Sequence, residues 1–154
     1  LQDKEAMYAY EHAFSDEEAD EWLARQLARY EKDGFGLWAV IRKSDGAFLG
    51  QCGITMQDVR GERVPEIGYL FARRYWHNGY ATEAARACKL YAFETPGLPA
   101  VYSLIRENNL PSRRVAERNG MCVVDTFVKH YYGFVMPHLV YRVEKQIRAF
   151  TAPE

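Results

Sequence analysis

The hydrophobic and polar positions change period several times along the chain, and each change marks an element. Lys4 to His12, rich in Ala, Glu and Tyr, reads as a short helix. A stronger helical pattern runs from Asp16 to Asp33, with Ala19, Trp22 or Leu23, Leu27 and Tyr30 predicted on one buried face. Ser15 followed three residues later by Glu18 forms a capping box, Asp16, Glu17 and Glu18 suit the positive helix end, and Gly34 supplies a left-handed terminator. That acidic run is therefore a solvated first turn and not a metal site.

Gly36 to Arg42 then turns apolar and β-branched, Ser44-Asp45-Gly46 makes a turn, and Ala47 to Met56 resumes as strand, which predicts a hairpin. Gly50 and Gly53 inside the second arm suggest a bend or a close approach of another backbone. After a polar turn, Asp58 to Arg63, comes an apolar strand, Val64 to Phe71. A helix from Gly79 to about Phe93 follows, with Ala81, Ala84, Ala85, Cys88, Tyr91 and Ala92 on one face; residues this small let it lie close against a sheet. Thr95-Pro96-Gly97 stops it. Pro99 to Ile105 is a strand, Asn109 caps a short helix with Pro111 in its first turn, and Asn119-Gly120 ends that helix. Two strands close the pattern, Met121 to His130 and Pro137 to Val143. The order predicts one α/β (α+β) domain over residues 1–154: a mixed, mostly antiparallel central sheet with helices on both faces.

Composition narrows the function classes. A chain of 154 residues that is 48% hydrophobic and 14% aromatic is a folded body of one-core size. A net charge of −1 gives no global field for nucleic acid, although Arg113, Arg114 and Arg118 form a local basic group able to hold a phosphate. Three widely spaced cysteines, Cys52, Cys88 and Cys122, read as small buried hydrophobes with no disulfide or metal framework. No apolar run is long enough for a membrane span and no signal-peptide pattern opens the chain, so the expected location is cytoplasmic, with neither membrane nor nucleic acid as partner. The chain opens on Leu1, and its natural beginning is expected upstream.

The candidate chemistry concentrates in Glu66 to Arg86. A strand leads there through a loop into a helix that starts near Gly79, and the first turn of such a helix offers unpartnered N–H groups and the positive end of the macrodipole to an anion. Gly79 and the small Ala81 let a diphosphate approach the backbone. Walker, dinucleotide, GxSxG and HExxH patterns are missing, and His12, His77, His130 and His138 are scattered, with surface or packing roles expected. A carboxylate, Glu66, lies on the strand, and small polar groups stand at a second strand-to-helix junction, Asn109 and Ser112. Glu66 is then a candidate base or a strand-edge surface charge.

The EIGY strand, the W-x-x-G-Y-A-T-E-A helix start, N-N-L-P-S-R-R-V-A-E-R-N-G-M and the closing P-H-L-V-Y-R strand together resemble the GNAT superfamily of acyl-CoA-dependent N-acetyltransferases, and within it the ribosomal-protein N-terminal acetyltransferases of the RimJ/RimL type. The resemblance runs from about Met7 to Lys145, and the family's first strand has no match. It implies that the strand Ile67 to Phe71 splays from Ala100 to Arg106 to admit the pantetheine arm of acetyl-CoA, the co-substrate, along Tyr69, Leu70 and Phe71. It implies also that the loop Trp76, His77, Asn78, Gly79, Tyr80, Ala81 and Thr82 takes the pyrophosphate, with Trp76 in place of the usual Arg or Gln and His77 where this branch commonly has glycine. Asn109 matches the asparagine that bonds the coenzyme arm, and Ser112 the serine near the thioester. The tyrosine general acid of many members falls on Ala116, which leaves Ser112 as candidate donor to the thiolate and Glu66 as base. No metal is implied. The acceptor is a primary amine, either a protein N-terminus or a small molecule, chosen by Asp58 to Arg63, the N-terminal segment and Lys129 to Pro137. Tyr131, Tyr132 and Phe134 of the last segment would line a cleft or a homodimer contact. The rival readings are a non-catalytic acyl-CoA-binding module and a nucleotide-binding domain of another kind.

Overall fold

The structure is a computed structural model that describes residues 1–10, 12–131 and 134–146. Its elements are α1 (Asp16–Asp33), β1 (Leu37–Ile41), β2 (Phe48–Val59), β3 (Glu62–Phe71), α2 (Tyr80–Glu94), β4 (Ala100–Arg106), α3 (Leu110–Arg118), β5 (Cys122–Tyr131) and β6 (Phe134–Glu144), with single 3-10 turns at Tyr8–Tyr10 and Arg73–Tyr75. Six strands form one sheet in the order β1-β2-β3-β4-β6-β5. Every neighbouring pair is antiparallel except β3 and β4. The mixed, mostly antiparallel sheet expected from the pattern is therefore what forms.

Alternation along the strands sorts the two faces. Cys52, Ile54, Ile67, Phe71, Val101 and Ile105 form one core with Ala85, Cys88 and Ala92 of α2 and Val115 and Ala116 of α3. On the opposite parity stand Gln51, Thr55 and Glu66, and there the indole N–H of Trp22 from α1 donates to Gln51 Oε1 at 3.2 Å. One face is thus dry and the other polar.

That polarity changes part of the face predicted for α1: Ala19, Trp22 and Tyr30 are half-buried as expected, but Leu27 is not. Leu23 and Leu27 are 58% and 54% exposed, whereas the buried residue is Gln26, flanked by the half-buried Trp22 and Tyr30. A helix that covers a polar cleft is not bound by the apolar periodicity of a helix on a dry core. Its ends form as expected: Ser15 and Glu18 close the capping box, and Gly34 takes φ +76°.

Three boundaries also differ. The helix expected over Lys4 to His12 does not form where the stretch is described: residues 4–7 are turns and Tyr8–Tyr10 one 3-10 turn, with the Asp3 carboxylate accepting from the N–H groups of Glu5 and Ala6. The Asp58–Arg63 turn contracts to Arg60-Gly61, whose φ values of +54° and +83° fit a tight hairpin turn. The last strand starts before Pro137. The missing N–H of Pro137 falls just outside the β4 ladder, which ends at Arg106 and His138, so it leaves no orphan partner. Of the cysteines, Cys52 and Cys88 are buried as expected but Cys122 is exposed, because Cys122 opens the edge strand β5.

The close approach expected at the strand glycines is present at both. A Cβ on Gly53 would lie 1.9 Å from the Gly36 carbonyl oxygen, which accepts the Ile54 N–H at 3.1 Å, and a Cβ on Gly50 would lie 2.3 Å from the Leu70 oxygen. Both obstacles are backbone and cannot swing aside. Gly53→Ala is expected to destabilise the fold by about 2–3 kcal/mol, seen as a lower urea midpoint at unchanged slope.

Candidate active site

The site begins where the sheet opens. β3 and β4 are paired at a single register position, Glu66 opposite Tyr102, and beyond it the ladder stops. Two side chains bridge the fork in its place. The Glu66 carboxylate accepts the Leu104 N–H at 3.2 Å, and the Ser103 hydroxyl donates to the Ile67 carbonyl at 2.9 Å. Glu66 lies mid-strand at this fork, since β3 begins at Glu62, and is no strand-edge surface charge. Burial pushes its carboxyl above the usual range, against the opposing pull of the Leu104 N–H, Lys129, Arg29 and Thr55. A carboxylate on a fork between two strands is both a structural clamp and a base with a raised proton affinity.

Past the fork the N-terminus of α2 faces the opening. Glu83 N–H bonds the Gly79 carbonyl at 3.0 Å, so the N–H groups from Gly79 to Thr82 precede the first intrahelical bond and need another acceptor. His77 and Gly79 take φ +62° and +81°. This explains why a glycine suits position 77; histidine is among the side chains that tolerate the left-handed region best. The Trp76 indole N–H donates to the Phe71 carbonyl at 2.8 Å and ties the loop to the end of β3, while the Asn78 amide holds the carbonyls of Tyr75 and Trp76.

At the second junction Asn109 caps α3 by accepting the Ser112 N–H on Oδ1 at 3.2 Å, which leaves its amide N–H groups for another partner. The Tyr69 hydroxyl donates to the Ser112 carbonyl at 2.7 Å, and burial raises the phenol well above its ordinary range, so it stays protonated. Ala116 is 1% exposed, and the half-buried Tyr69 packs against the core that contains it.

One cleft of about 870 Å³ joins these parts. Glu66, Tyr69, Leu70, Phe71, Trp76, His77, Gly79, Tyr80, Ala81, Thr82, Asn109 and Ser112 all line it; Asn78 lies outside its wall. Arg114 and Arg118 line it from α3, whereas Arg113 is tied to the Tyr141 hydroxyl and the Glu107 carbonyl. The N-terminal segment contributes Ala6, Tyr8, Tyr10 and Phe14 to its wall, and Lys129 and Met136 enter from β5 and β6. The Arg60-Gly61 turn does not reach the cleft, because Arg60 pins it to the Thr126 carbonyl and Asp125. The expectation placed on the side chains of Tyr131, Tyr132 and Phe134 falls outside the described residues.

One residue read from sequence as surface or packing joins the wall. His138 is buried, and its Nδ1–H donates to the Met136 carbonyl at 2.8 Å, which leaves Nε2 as an acceptor when the ring is neutral. Burial lowers its pKa, so at neutral pH it is uncharged. Only the pairing of β6 with β4 brings it beside the fork. Among the described residues no group of His, Cys, Asp and Glu is arranged to hold a metal ion.

The model of the acetyltransferase (GNAT) domain matches residues 1–122. The chain belongs to the GNAT acetyltransferase family. This GNAT domain is 42% identical over 119 residues to YkkB of Bacillus subtilis strain 168, covering 77% of the chain and 69% of that protein. It is 31% identical over 134 residues to the FsC-acetyl coenzyme A-N(2)-transacetylase of Aspergillus fumigatus, covering 81% of the chain but 55% of that enzyme. Among solved structures, a GNAT-family acetyltransferase from Bacillus anthracis superposes with a TM-score of 0.77 at 25% identity, over 93% of this chain and 83% of that one. The family is one of acyl-CoA-dependent acetyltransferases, and the donor set fits such a co-substrate: an open strand edge for amides, an unpartnered helix N-terminus for phosphates, and a free asparagine amide between them.

Proposed function

We propose that this single GNAT domain transfers the acetyl group of acetyl-CoA to a primary amine by direct attack in a ternary complex, and that it does so in the cytoplasm. The observation that carries the reading is the fork: one cleft holds a carboxylate with raised proton affinity where β3 leaves β4, and the N-terminus of α2 at its open end. Acetyl-CoA supplies an activated thioester carbonyl. The open edge of β3 from Gly68 to Phe71 pairs the pantetheine amides, the N–H groups of Gly79 to Thr82 take the pyrophosphate, and Arg114 and Arg118 add positive charge on the α3 side.

An amine is mostly protonated at neutral pH, with a pKa of about 10.4 for a lysine-type group and about 8 for an α-amine. Glu66, directly or through water, takes that proton. The nitrogen then attacks the carbonyl carbon and the C–N bond forms; as the C–S bond breaks, the departing sulfur receives a proton from the donor, and the nitrogen's second proton restores that donor, directly or through water. Ser112 is the sequence-derived candidate donor. The Tyr69 hydroxyl, anchored on the Ser112 carbonyl and fully protonated, is a second donor at the same place. Ser112→Ala and Tyr69→Phe separate them: the true donor's variant loses about 10²-fold in turnover, with the loss growing as pH rises, and the other variant does not.

Mass-spectrometric detection of acetyl transfer from acetyl-CoA to a panel of N-terminal peptides and small amines tests the reading. Stabilisation by acetyl-CoA with no acetylated product would make the domain a non-catalytic binding module instead. The RimJ/RimL-like segments of the sequence favour a protein N-terminal α-amine as acceptor; the charges at the acceptor end of the cleft bear directly on that choice.

A further inference from the structure

The acceptor end of the cleft carries basic side chains that no carboxylate meets at salt-bridge distance among the described residues. Besides Glu66, its acidic side chains are Glu18 and Glu21 of α1. Both are spent locally. Glu18 Oε1 bonds His12 Nε2 at 2.8 Å and Oε2 accepts the Ser15 N–H at 2.9 Å, while Glu21 faces Arg25 at 3.6 Å. Among the basic residues of the wall, Arg106 donates to the Tyr8 carbonyl at 3.2 Å. Arg29 of α1 and Lys129 of β5 have no carboxylate within salt-bridge distance among the described residues, and both project their field onto Glu66.

Arg29 is also held in place by an arrangement that packing alone does not explain. Gln26, at 3% exposure, is the buried residue of α1; its Nε2 donates to the Trp22 carbonyl at 3.2 Å, and its Oε1 accepts from Arg29 Nη1 at 3.0 Å. A glutamine buried where a leucine would pack loses hydration, and these two bonds offset that loss. Its effect is to fix the guanidinium at the cleft wall with most of its five donors unspent.

We propose that Arg29 and Lys129 form an anion subsite for the acceptor, so that the amine acetylated is a small one bearing a carboxylate close to the amino group, as in a free α-amino acid. This rests on the acetyl-transfer reading and narrows it. A carboxylate on a planar guanidinium can be held by paired hydrogen bonds, which would set the amino group at a fixed distance from Glu66. A polyamine, by contrast, would bring further positive charge to these two cations.

The test is the initial rate of thiol release from acetyl-CoA with each of a panel of α-amino acids, each amino acid's carboxamide, spermidine, and dipeptide amides with an acidic second residue. At least one amino acid should exceed its own carboxamide in kcat/KM by about tenfold or more, the effect of one charge-assisted hydrogen bond, and should exceed spermidine as well. The Arg29→Gln/Lys129→Met double variant should bring that ratio close to one through KM. Gln26→Leu, which keeps the helix packed, should lower the same ratio. Carboxamides or spermidine used as well as the acids would overturn the subsite while leaving acetyl transfer intact, as would a preference for the acidic dipeptides. A ratio that persists in a folded double variant would remove Arg29 and Lys129 from the role. Should circular dichroism show that variant unfolded, the matched pairs on the unaltered chain together with Gln26→Leu decide. Binding of acetyl-CoA with no transfer to any amine would overturn the enzymatic reading, and this one with it.

Discussion

Turnover of the Glu66→Gln variant is expected to fall about 10²–10⁴-fold while acetyl-CoA affinity is unchanged, because the substitution removes proton uptake and keeps an oxygen for the Leu104 N–H. The unaltered chain should lose kcat as pH falls through the Glu66 pKa, which burial sets above the ordinary carboxylate value of about 4.3. The same shift has a stability consequence of defined sign. With the folded pKa above the unfolded one, the folded state holds its proton longer, so its stability is full below the unfolded pKa and is lost as pH rises through the folded pKa. Glu66→Gln should therefore melt higher than the unaltered chain at neutral pH, with the gain vanishing near pH 3 (about one unit below the unfolded pKa). A fall in turnover matched by an equal fall in coenzyme affinity would remove Glu66 from proton transfer, and so would a flat pH profile.

For Gly79→Val the expected loss lies in binding. Gly79 takes φ +81°, and a Cβ there meets no protein atom within 4 Å, so the substitution acts through backbone strain and through the cleft space that its side chain takes from the ligand. An L-residue in this region costs about 1–2 kcal/mol, with a β-branched one at the upper end. Relief of that strain turns the loop and disperses the N–H groups that precede the first intrahelical bond. Coenzyme affinity by calorimetry should fall about 10- to 100-fold, with α2 kept in place by Ala85, Cys88 and Ala92 in the core. Gly97→Val is the matching control, since Gly97 has φ +69°, open space around it, and no place in the cleft wall. It should lower the melting temperature similarly and leave affinity unchanged; an equal loss of affinity in both would refute the placement of the pyrophosphate at Gly79.

Much of the frame was legible in residues 15–122. Glycines at close approaches, the capping box of α1, the Asn109 cap of α3 and the small-residue face of α2 are local or short-range signals, and each formed as its chemistry dictates. The α1 face holds at Ala19, Trp22 and Tyr30 and fails at Leu27, because the helix covers a polar cleft, where Gln26 takes the buried position. In the N-terminal segment residues 4–10 form turns and one 3-10 turn in place of the expected helix, a difference that its composition does not register.

The sequence by itself determined most of the alternation of elements, the start of α2 near Gly79 and the identity of Glu66 as the carboxylate on the strand before it. Tertiary structure decided the rest: that β3 and β4 part after one register pair, that Glu66 clamps the fork it would serve as base, and that Tyr69, His138, Arg29 and Lys129 come from separate elements to one wall. The reason is physical. A helix start or a turn is set by bonds between residues a few positions apart, whereas proton affinity and charge complementarity at the fork depend on which side chains exclude water from it, and those are brought there only by the order in which the strands pair.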